Sequence, residues 1–280
     1  MDDGNLVPFL YSHGLLDRVL FWMGASPYLW TDLRATSRSA RTLIEAPPEK
    51  KISTNRLLSI AAMDGNHPLC MFAISGGATD LDVMLRRAAC NGHESTCRLA
   101  RELGAVDWNG MLWYAADGGH EPLCRLAKEW GATRWNGMIW NAASSGHESI
   151  CRLAREWGAT NSILEDMLWN AAHNGHESIC RLAREEWGIR GPHRDYMLIA
   201  AAYGGHESLC RLAREWGATD WNEMLRCAST NGHESLCRLA REWGATDFDA
   251  MLKRAKFGGR DSICRLAKQW IKERNQIMEQ

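Results

Sequence analysis

A phrase of fifteen residues returns along this chain at nearly constant spacing, and this repetition limits the fold more than any other feature. The phrase reads NGHESTCRLARELGA from Asn91 to Ala105. One cysteine in it marks the same position of every copy: Cys70, Cys97, Cys124, Cys151, Cys180, Cys210, Cys237 and Cys264. Their spacings of 27, 27, 27, 29, 30, 27 and 27 residues divide residues 54–274 into eight units. A fixed period of this length is typical of solenoids and other repeat arrays.

Each unit carries the signals of two short helices. In the fourth unit, Met138–Ala143 predicts a first helix, which Gly146 ends. A second helix begins at Glu148, has apolar residues at i, i+1, i+3, i+4 and i+7 from Ile150, and ends at Gly158. Neither helix is long enough to be stable alone, so each unit must bury its apolar face against its neighbours. The sequence therefore predicts an all-α solenoid of eight stacked helix-turn-helix repeats with an N-terminal helical cap.

The repeated residues resemble the ankyrin repeat, which combines a Leu-x-x-Ala-Ala first helix, a Gly-His turn and a closing Gly-Ala. In the fourth unit the matching residues are Ile139, Ala142, Ala143, Gly146, His147, Cys151, Leu153, Gly158 and Ala159. Ankyrin units have about 33 residues, and the residues missing here fall where that family places its β-hairpin fingers. The resemblance implies short loops at these points and a partner held on a concave face. Short, tryptophan-rich arrays of this kind look like ankyrin proteins of large DNA viruses of amoebae.

The first 45 residues do not repeat, and they are similar to an F-box. A Val-Pro pair at positions 7 and 8 precedes the motif Leu15-Leu16-x-x-Val19-Leu20, although extra residues separate the two and the usual acidic residue is missing. An F-box binds a Skp-type adaptor of a cullin ubiquitin ligase. The resemblance implies a set of adaptor contacts, namely Pro8, Leu15, Leu16, Val19 and Leu20. The predicted organisation is a helical, F-box-like module at 1–50, a repeat solenoid at 51–274 and a tail at 275–280.

Charge and composition narrow the compartment and the class of partner. The formal net charge is −1, which offers no general attraction to nucleic acid or to an anionic membrane. No apolar run approaches the roughly 18–20 residues that span a bilayer, and the acidic start Met-Asp-Asp is unlike a secretory signal. Eight of the ten cysteines belong to the repeat, which favours reduced, buried thiols. We expect a cytoplasmic or nuclear protein, in the host cell if the source is viral.

The repeated polar residues favour structure over chemistry. A histidine precedes each repeat cysteine by four residues in six units. A zinc site needs ligands within about 2.3 Å of one point, whereas neighbouring repeats lie about 10 Å apart. The histidines are therefore predicted to stabilise turns, and the cysteines to act as small buried hydrophobes. With no phosphate-binding loop and no nucleophile elbow in the sequence, we expect no catalytic residue, no cofactor and no metal.

Two further columns of residues have structural interpretations. Each arginine of the Cys-Arg-Leu-Ala motif follows a glutamate by four residues in six units, which predicts ion pairs on a solvated outer face. A partner-binding ladder of arginines is the alternative. Tryptophans at the end of the second helix and in the linking loop are predicted to pack between units.

The remaining variable positions of the first helix supply the candidate contacts with a partner. A third tryptophan column occurs only in the central units, and exposed aromatic side chains at the centre of a face are good binding anchors. The residue after the alanine pair also varies from unit to unit. The candidates are Trp113, Tyr114, Asp117, Trp140, Asn141, Ser144, Trp169, Asn170, His173, Tyr203 and Thr230. Local packing of the tryptophans, or a solvated surface without a partner, is the alternative.

These patterns predict a non-enzymatic protein–protein interaction module. If the F-box resemblance holds, the protein bound by the repeats becomes a substrate of a host cullin-type ubiquitin ligase. A structural scaffold, for example a component of a virus particle, is the alternative. A nucleic-acid-binding array is a minor hypothesis, which the near-zero net charge disfavours.

Overall fold

The computed structural model describes residues 53–188 and 193–279, and this part of the chain is built from α-helices without any strand. One short 3-10 helix, Asn161–Ile163, precedes the fifth repeat. The α-helices are α1 (Thr54–Met63), α2 (His67–Ser75), α3 (Leu81–Cys90), α4 (Glu94–Glu102), α5 (Trp108–Asp117), α6 (Glu121–Glu129), α7 (Trp135–Ser145), α8 (Glu148–Glu156), α9 (Leu164–His173), α10 (Glu177–Glu185), α11 (His193–Gly204), α12 (Glu207–Glu215), α13 (Trp221–Asn231), α14 (Glu234–Glu242), α15 (Phe248–Phe257) and α16 (Asp261–Met278).

The chain divides between Arg134 and Trp135 into two compact parts, each containing several repeats, which we call unit 1 and unit 2. Unit 1 contains α1–α6, and unit 2 contains α7–α16. In both, each odd-numbered helix packs against the even-numbered helix that follows it, so the two are the first and second helix of one repeat. Within each unit the first helix of a repeat also packs against the first helix of the next. The predicted all-α solenoid of two-helix repeats is thus confirmed within each unit, while the predicted N-terminal module lies outside the described residues.

The core of each repeat consists of the positions that the sequence marks as apolar. In α9, Met167 and Leu168 are buried together with the alanine pair Ala171 and Ala172, and α10 buries Cys180. Burying one methionine or leucine side chain contributes about 1.5–3 kcal/mol. Helices of this length are marginal in isolation. Packing against neighbours, rather than helix propensity, therefore stabilises each repeat.

Glycines with left-handed backbone end the helices, as the sequence predicts. Gly146 and Gly158, on either side of the second helix of the fourth repeat, have φ values of 86° and 107°. A residue with a side chain rarely adopts such values. Gly175, between α9 and α10, is restricted twice, because φ is 87° and an added Cβ would lie 2.7 Å from the His206 ring.

In five of the turns, the histidine binds the preceding repeat. Nε2 of His206 lies 2.8 Å from the carbonyl oxygen of His173, the last residue of α9. A carbonyl only accepts, so Nε2 carries the proton and donates. The same contact, at 2.8–3.1 Å, joins His93 to Met63, His120 to Cys90, His176 to Ser144, and His233 to Tyr203. The sequence predicts a role within the turn. The bond between repeats is not visible there, because its acceptor is a main-chain atom about thirty residues earlier.

The loop between repeats is held by a side chain near the start of the first helix. Oδ1 of Asn222 accepts hydrogen bonds from the main-chain N–H groups of Thr246, at 2.9 Å, and Asp247, at 3.0 Å. Asn55, Asp82, Asn109 and Asp195 make the same pair of bonds in their own repeats. Asp247 then caps α15 by accepting from the N–H of Ala250. Residues 243–247 are the whole link between α14 and α15, so the loop is short, as the 27-residue period predicts.

The loop tryptophans pair inside a repeat, where the sequence predicts packing between repeats. The rings of Trp221 and Trp243 meet edge to face with centroids 5.1 Å apart, a favourable arrangement of aromatic quadrupoles. Equivalent pairs are Trp108–Trp130, Trp135–Trp157 and Phe248–Trp270. The contact between repeats comes instead from an arginine: the guanidinium carbon of Arg214 lies 4.8 Å from the Trp243 ring centroid. Arg101 on Trp130, Arg184 on Trp216, and Arg241 on Trp270 repeat this contact.

Candidate partner-binding face

First and second helices expose different chemistry. On the second helices, the predicted glutamate–arginine pairs form within one helix; in α12, Arg211 and Glu207 are 2.7 Å apart. The others are Arg98–Glu94, Arg125–Glu121, Arg152–Glu148, Arg181–Glu177 and Arg238–Glu234. In these six second helices the repeated arginine is therefore compensated by a glutamate of the same helix. Chemical variety lies on the exposed surface of the first helices, which we call the first-helix face.

Three of the predicted contact residues lie in unit 1, on α5. Tyr114, with 36% of its surface exposed, and Asp117 both face solvent. Trp113 is half-buried, and its indole N–H donates to the carbonyl oxygen of Arg134 at 3.3 Å. This ring therefore has a local packing role, which leaves Tyr114 and Asp117 as the accessible candidates of this unit.

In unit 2 the candidates begin on α7. Trp140 is 40% exposed. Asn141 and Ser144 are half-buried, and the Asn141 amide donates to the carbonyl of Gly137 at 2.8 Å. The amide group is thereby fixed in orientation beside an accessible indole ring. This helix offers a partner an aromatic surface next to a positioned polar group.

The next two first helices join their candidates by ring contacts. The ring centroids of Trp169 and Tyr196 are 4.6 Å apart, and those of His173 and Tyr203 are 5.4 Å apart. Each contact joins α9 to α11, so the aromatic residues of two successive repeats form one continuous surface. Asn170 lies beside them, with its amide donating to the carbonyl of Asp166 at 2.9 Å.

Tyr196 is a contact residue that the sequence analysis misses. Its side chain is 48% exposed, more than that of Trp140. The same helical position holds Gly137, Asp166 and Glu223 in other repeats of unit 2, so its variability was the signal that could have revealed it.

The last two candidates differ in accessibility. Tyr203 is 44% exposed at the end of α11. Thr230 is half-buried at the end of α13, and its hydroxyl donates to the carbonyl of Arg226 at 2.9 Å. The structure thus brings Trp169, Tyr196, His173 and Tyr203 together, whereas Thr230 is directed into its own helix.

The repeat cysteines lie away from this face, in the core. Seven of the eight are buried, as predicted, and Cys264 of the last repeat is half-buried; the seven are Cys70, Cys97, Cys124, Cys151, Cys180, Cys210 and Cys237. Burial, with a smaller contribution from the nearby Glu177 carboxylate, raises the pKa of the Cys180 thiol from 9.0 to about 12. A thiol with such a pKa is protonated at neutral pH, so this column acts as a set of small apolar side chains.

Neither a cluster of metal ligands nor a membrane-spanning helix occurs in the described residues. No group of three or more His, Cys, Asp or Glu side chains in the described ranges could hold a metal ion. No described helix is both long and apolar enough to cross a bilayer. The predicted adaptor contacts Pro8, Leu15, Leu16, Val19 and Leu20 lie outside the described residues.

The face that results is an aromatic strip on unit 2, made of the exposed Trp140, Tyr196 and Tyr203 and the half-buried Trp169, on three successive first helices. Amide, hydroxyl and imidazole groups lie along it. No family model matches this chain, and comparison with curated proteins gives no match either, so the case for a function rests on this geometry.

Proposed function

We propose that the chain is a protein-binding scaffold and that its partner lies on the first-helix face of unit 2. The observation that carries this proposal is the exposure of Trp140 on α7 and of Tyr196 and Tyr203 on α11, the first helices on either side of α9. Tryptophan and tyrosine are the residues most often found as binding anchors, because they combine a large apolar area with a polar tip. Three of them on one rigid face supply anchors for one partner.

The repeat architecture supports the same function. The first helices are fixed by a buried core, by the histidine bonds and by the loop clamps, so the aromatic residues are held before a partner arrives. A preformed surface loses little conformational freedom on binding, which favours affinity. The second helices offer no comparable feature, since their exposed glutamates and arginines neutralise one another.

The test is affinity capture from the native cell with the purified full chain, compared with an aromatic variant. The aromatic variant carries Trp140→Ala and Tyr203→Ala, and the control carries Arg211→Ala and Arg238→Ala on the second helices. We expect the parent and the control to capture the same protein, and the aromatic variant to capture less of it, by about tenfold or more. Equal capture by the aromatic variant and the parent contradicts the proposal, and favours a structural scaffold that uses another surface.

The N-terminal segment adds a separate proposal, supported by its sequence resemblance to an F-box. Residues 1–50 recruit a Skp-type adaptor, which brings the bound partner to a ubiquitin ligase. Pull-down of a purified Skp-type adaptor by the full chain tests this, with Leu15→Asp and Leu16→Asp as the disrupted variant. Absence of binding by the parent chain removes the ligase role and leaves the scaffold.

A further inference from the structure

The charge of the first-helix face changes along unit 2. Helix α7 has no charged residue, and α9 has two acids, Glu165 and Asp166. In α15, by contrast, three basic residues, Lys253, Arg254 and Lys256, accompany a single acid. All three basic residues are exposed. The face therefore begins neutral, becomes acidic, and ends basic.

The basic residues of α15 differ from the arginines of the other first helices of unit 2, which are paired with acids. Arg226 of α13 is paired with Glu223 at 2.7 Å. The acid of α15, Asp249, is engaged by Arg274 of α16 at 2.9 Å. In the described part of the chain, no carboxylate lies within 4.0 Å of Lys253, Arg254 or Lys256.

An exposed phenylalanine lies among these cations. Phe257 ends α15 and is 85% exposed, the largest exposure of any large hydrophobic residue in the described chain. Arg260 lies three residues further along and donates through Nε to the carbonyl of Thr230 at 3.3 Å, which fixes its guanidinium against the preceding repeat. We call Lys253, Arg254, Lys256, Phe257 and Arg260 the basic end. Charges that only keep a terminal repeat solvated need no exposed phenylalanine between them.

We infer that the partner of unit 2 is an acidic protein segment that crosses the first helices, with apolar side chains on the aromatic strip and carboxylates on the basic end. This inference rests on the proposed function and names the chemistry of its partner. Uncompensated lysines and arginines attract carboxylates and fix the direction of a bound segment. Phe257 adds an apolar contact between them.

The spacing of the helices sets the length of such a segment. Packed helices lie about 10 Å apart, so α15 is about 20 Å from α11. An extended chain advances about 3.3 Å per residue. The acidic residues are therefore expected about six positions from the apolar residue that contacts Tyr196 or Tyr203.

A single-stranded nucleic acid fits this face less well. Such a strand needs cations along its whole path, because every stacked base carries a phosphate. The aromatic strip is instead accompanied by Glu165 and Asp166, and the uncompensated cations of these first helices are confined to one end. Charge thus favours a protein segment whose acids are grouped at one end.

Selection of displayed random 12-residue peptides on the purified full chain tests the inference. Three proteins are compared: the parent; a face variant with Lys253→Glu, Arg254→Glu and Lys256→Glu; and a control with Arg265→Glu, Lys268→Glu and Lys272→Glu. The control residues are exposed on α16, the second helix of the same repeat, so both variants change charge equally. Matching thermal unfolding curves, measured by circular dichroism, establish that all three proteins are folded. If the glutamate face variant is not folded, glutamine is used in place of glutamate at the same three positions.

We expect peptides selected on the parent to carry Asp or Glu grouped about six residues from an aromatic or aliphatic residue. One such peptide, synthesised, should bind the face variant about tenfold more weakly and the control about equally. Apolar peptides without acids, bound equally by all three proteins, overturn the inference and leave the proposed function in place. No selection on the parent overturns both. Binding of labelled oligo-dT that is lost in the face variant also overturns the inference, in favour of nucleic acid.

Discussion

The imidazole of His206 has two neighbours in the preceding repeat. It donates to the carbonyl of His173, and its ring fills the space that a side chain at Gly175 would need. A buried or half-buried carbonyl that loses its donor is costly. One side chain thus fixes both the distance between two repeats and the residue type at a turn in the earlier one.

A double-mutant cycle measures this coupling. We expect His206→Ala to lower the free energy of unfolding by about 1–3 kcal/mol. Gly175→Ala should lower it by about 1 kcal/mol or more, because φ is positive and the added methyl meets the ring. In the His206→Ala background the cost of Gly175→Ala should be smaller, since only the backbone strain remains.

Urea denaturation followed by circular dichroism gives the four free energies. Ser208→Ala, at an exposed position two residues after the histidine, is the control and should change little. Equal costs of Gly175→Ala in both backgrounds would show that ring and glycine do not interact.

The buried thiols predict a pH dependence. Burial raises the pKa of the Cys180 thiol from 9.0 to about 12, so the folded state favours the protonated form. The stabilisation is complete below pH 9 and is lost as the pH rises toward 12, because the unfolded chain releases its proton first. Relative to pH 7, the parent should lose about 1 kcal/mol more at pH 10 than Cys180→Val does.

Denaturation of both proteins at pH 7 and pH 10, under reducing conditions, makes the comparison. Lysine and tyrosine titration is common to the two proteins and cancels. An identical pH dependence would show that the thiol is not buried as described.

At the scale of the helix, the two members of a repeat have separate tasks. The second helices α12 and α14 have the same sequence, ESLCRLARE, whereas no two first helices in unit 2 share one. Apolar periodicity and glycine positions predict both kinds of helix correctly, because core burial and left-handed turns are local demands that recur in every copy. The role of Arg214 could not be predicted. The repeat has two arginine columns, and only the fold decides which one lies over the next tryptophan.

Those two columns allow a matched comparison. Arg214→Ala removes the contact with Trp243 in the following repeat, and we expect a loss of about 0.5–2 kcal/mol. Arg211→Ala removes only an exposed pair within α12, which is worth about 0.3–0.5 kcal/mol. Urea denaturation of the two variants measures the difference. A larger effect of Arg211→Ala would contradict the assignment of Arg214 as the contact between repeats.

At the scale of the whole molecule, the period predicts the repeat architecture, but only part of the candidate site. Variable positions on first helices mark Trp140 and Tyr203 correctly as exposed aromatic residues, whereas Trp169 is half-buried against Tyr196. They also mark Trp113 and Thr230, which the structure engages in local hydrogen bonds. Variation of a position between repeats shows that its side chain is not required in the core. Whether that side chain is exposed depends also on the side chains of the adjacent repeat, which comparison of one position across the repeats does not show.

A stack of repeats transmits disturbance to neighbours first. We expect Asn222→Ala, which removes both clamps on the loop before α15, to speed amide exchange of Thr246, Asp247 and the helices α15 and α16. Amides of α9 and α10 should be unaffected. Hydrogen–deuterium exchange with mass spectrometry gives this profile, with Glu215→Ala as a control at an exposed position. Uniformly faster exchange throughout unit 2 would show that its repeats unfold as one body.

The identity of the acceptor in each histidine hydrogen bond has a consequence for the evolution of such a protein. The acceptors are main-chain carbonyls of Met63, Cys90, Ser144, His173 and Tyr203, and these are variable positions of the first helices. Every amino acid has that carbonyl. A substitution at one of these positions therefore changes the side chain on the surface but keeps the hydrogen bond between adjacent repeats. The binding specificity of the surface can thus change during evolution without loss of the fold.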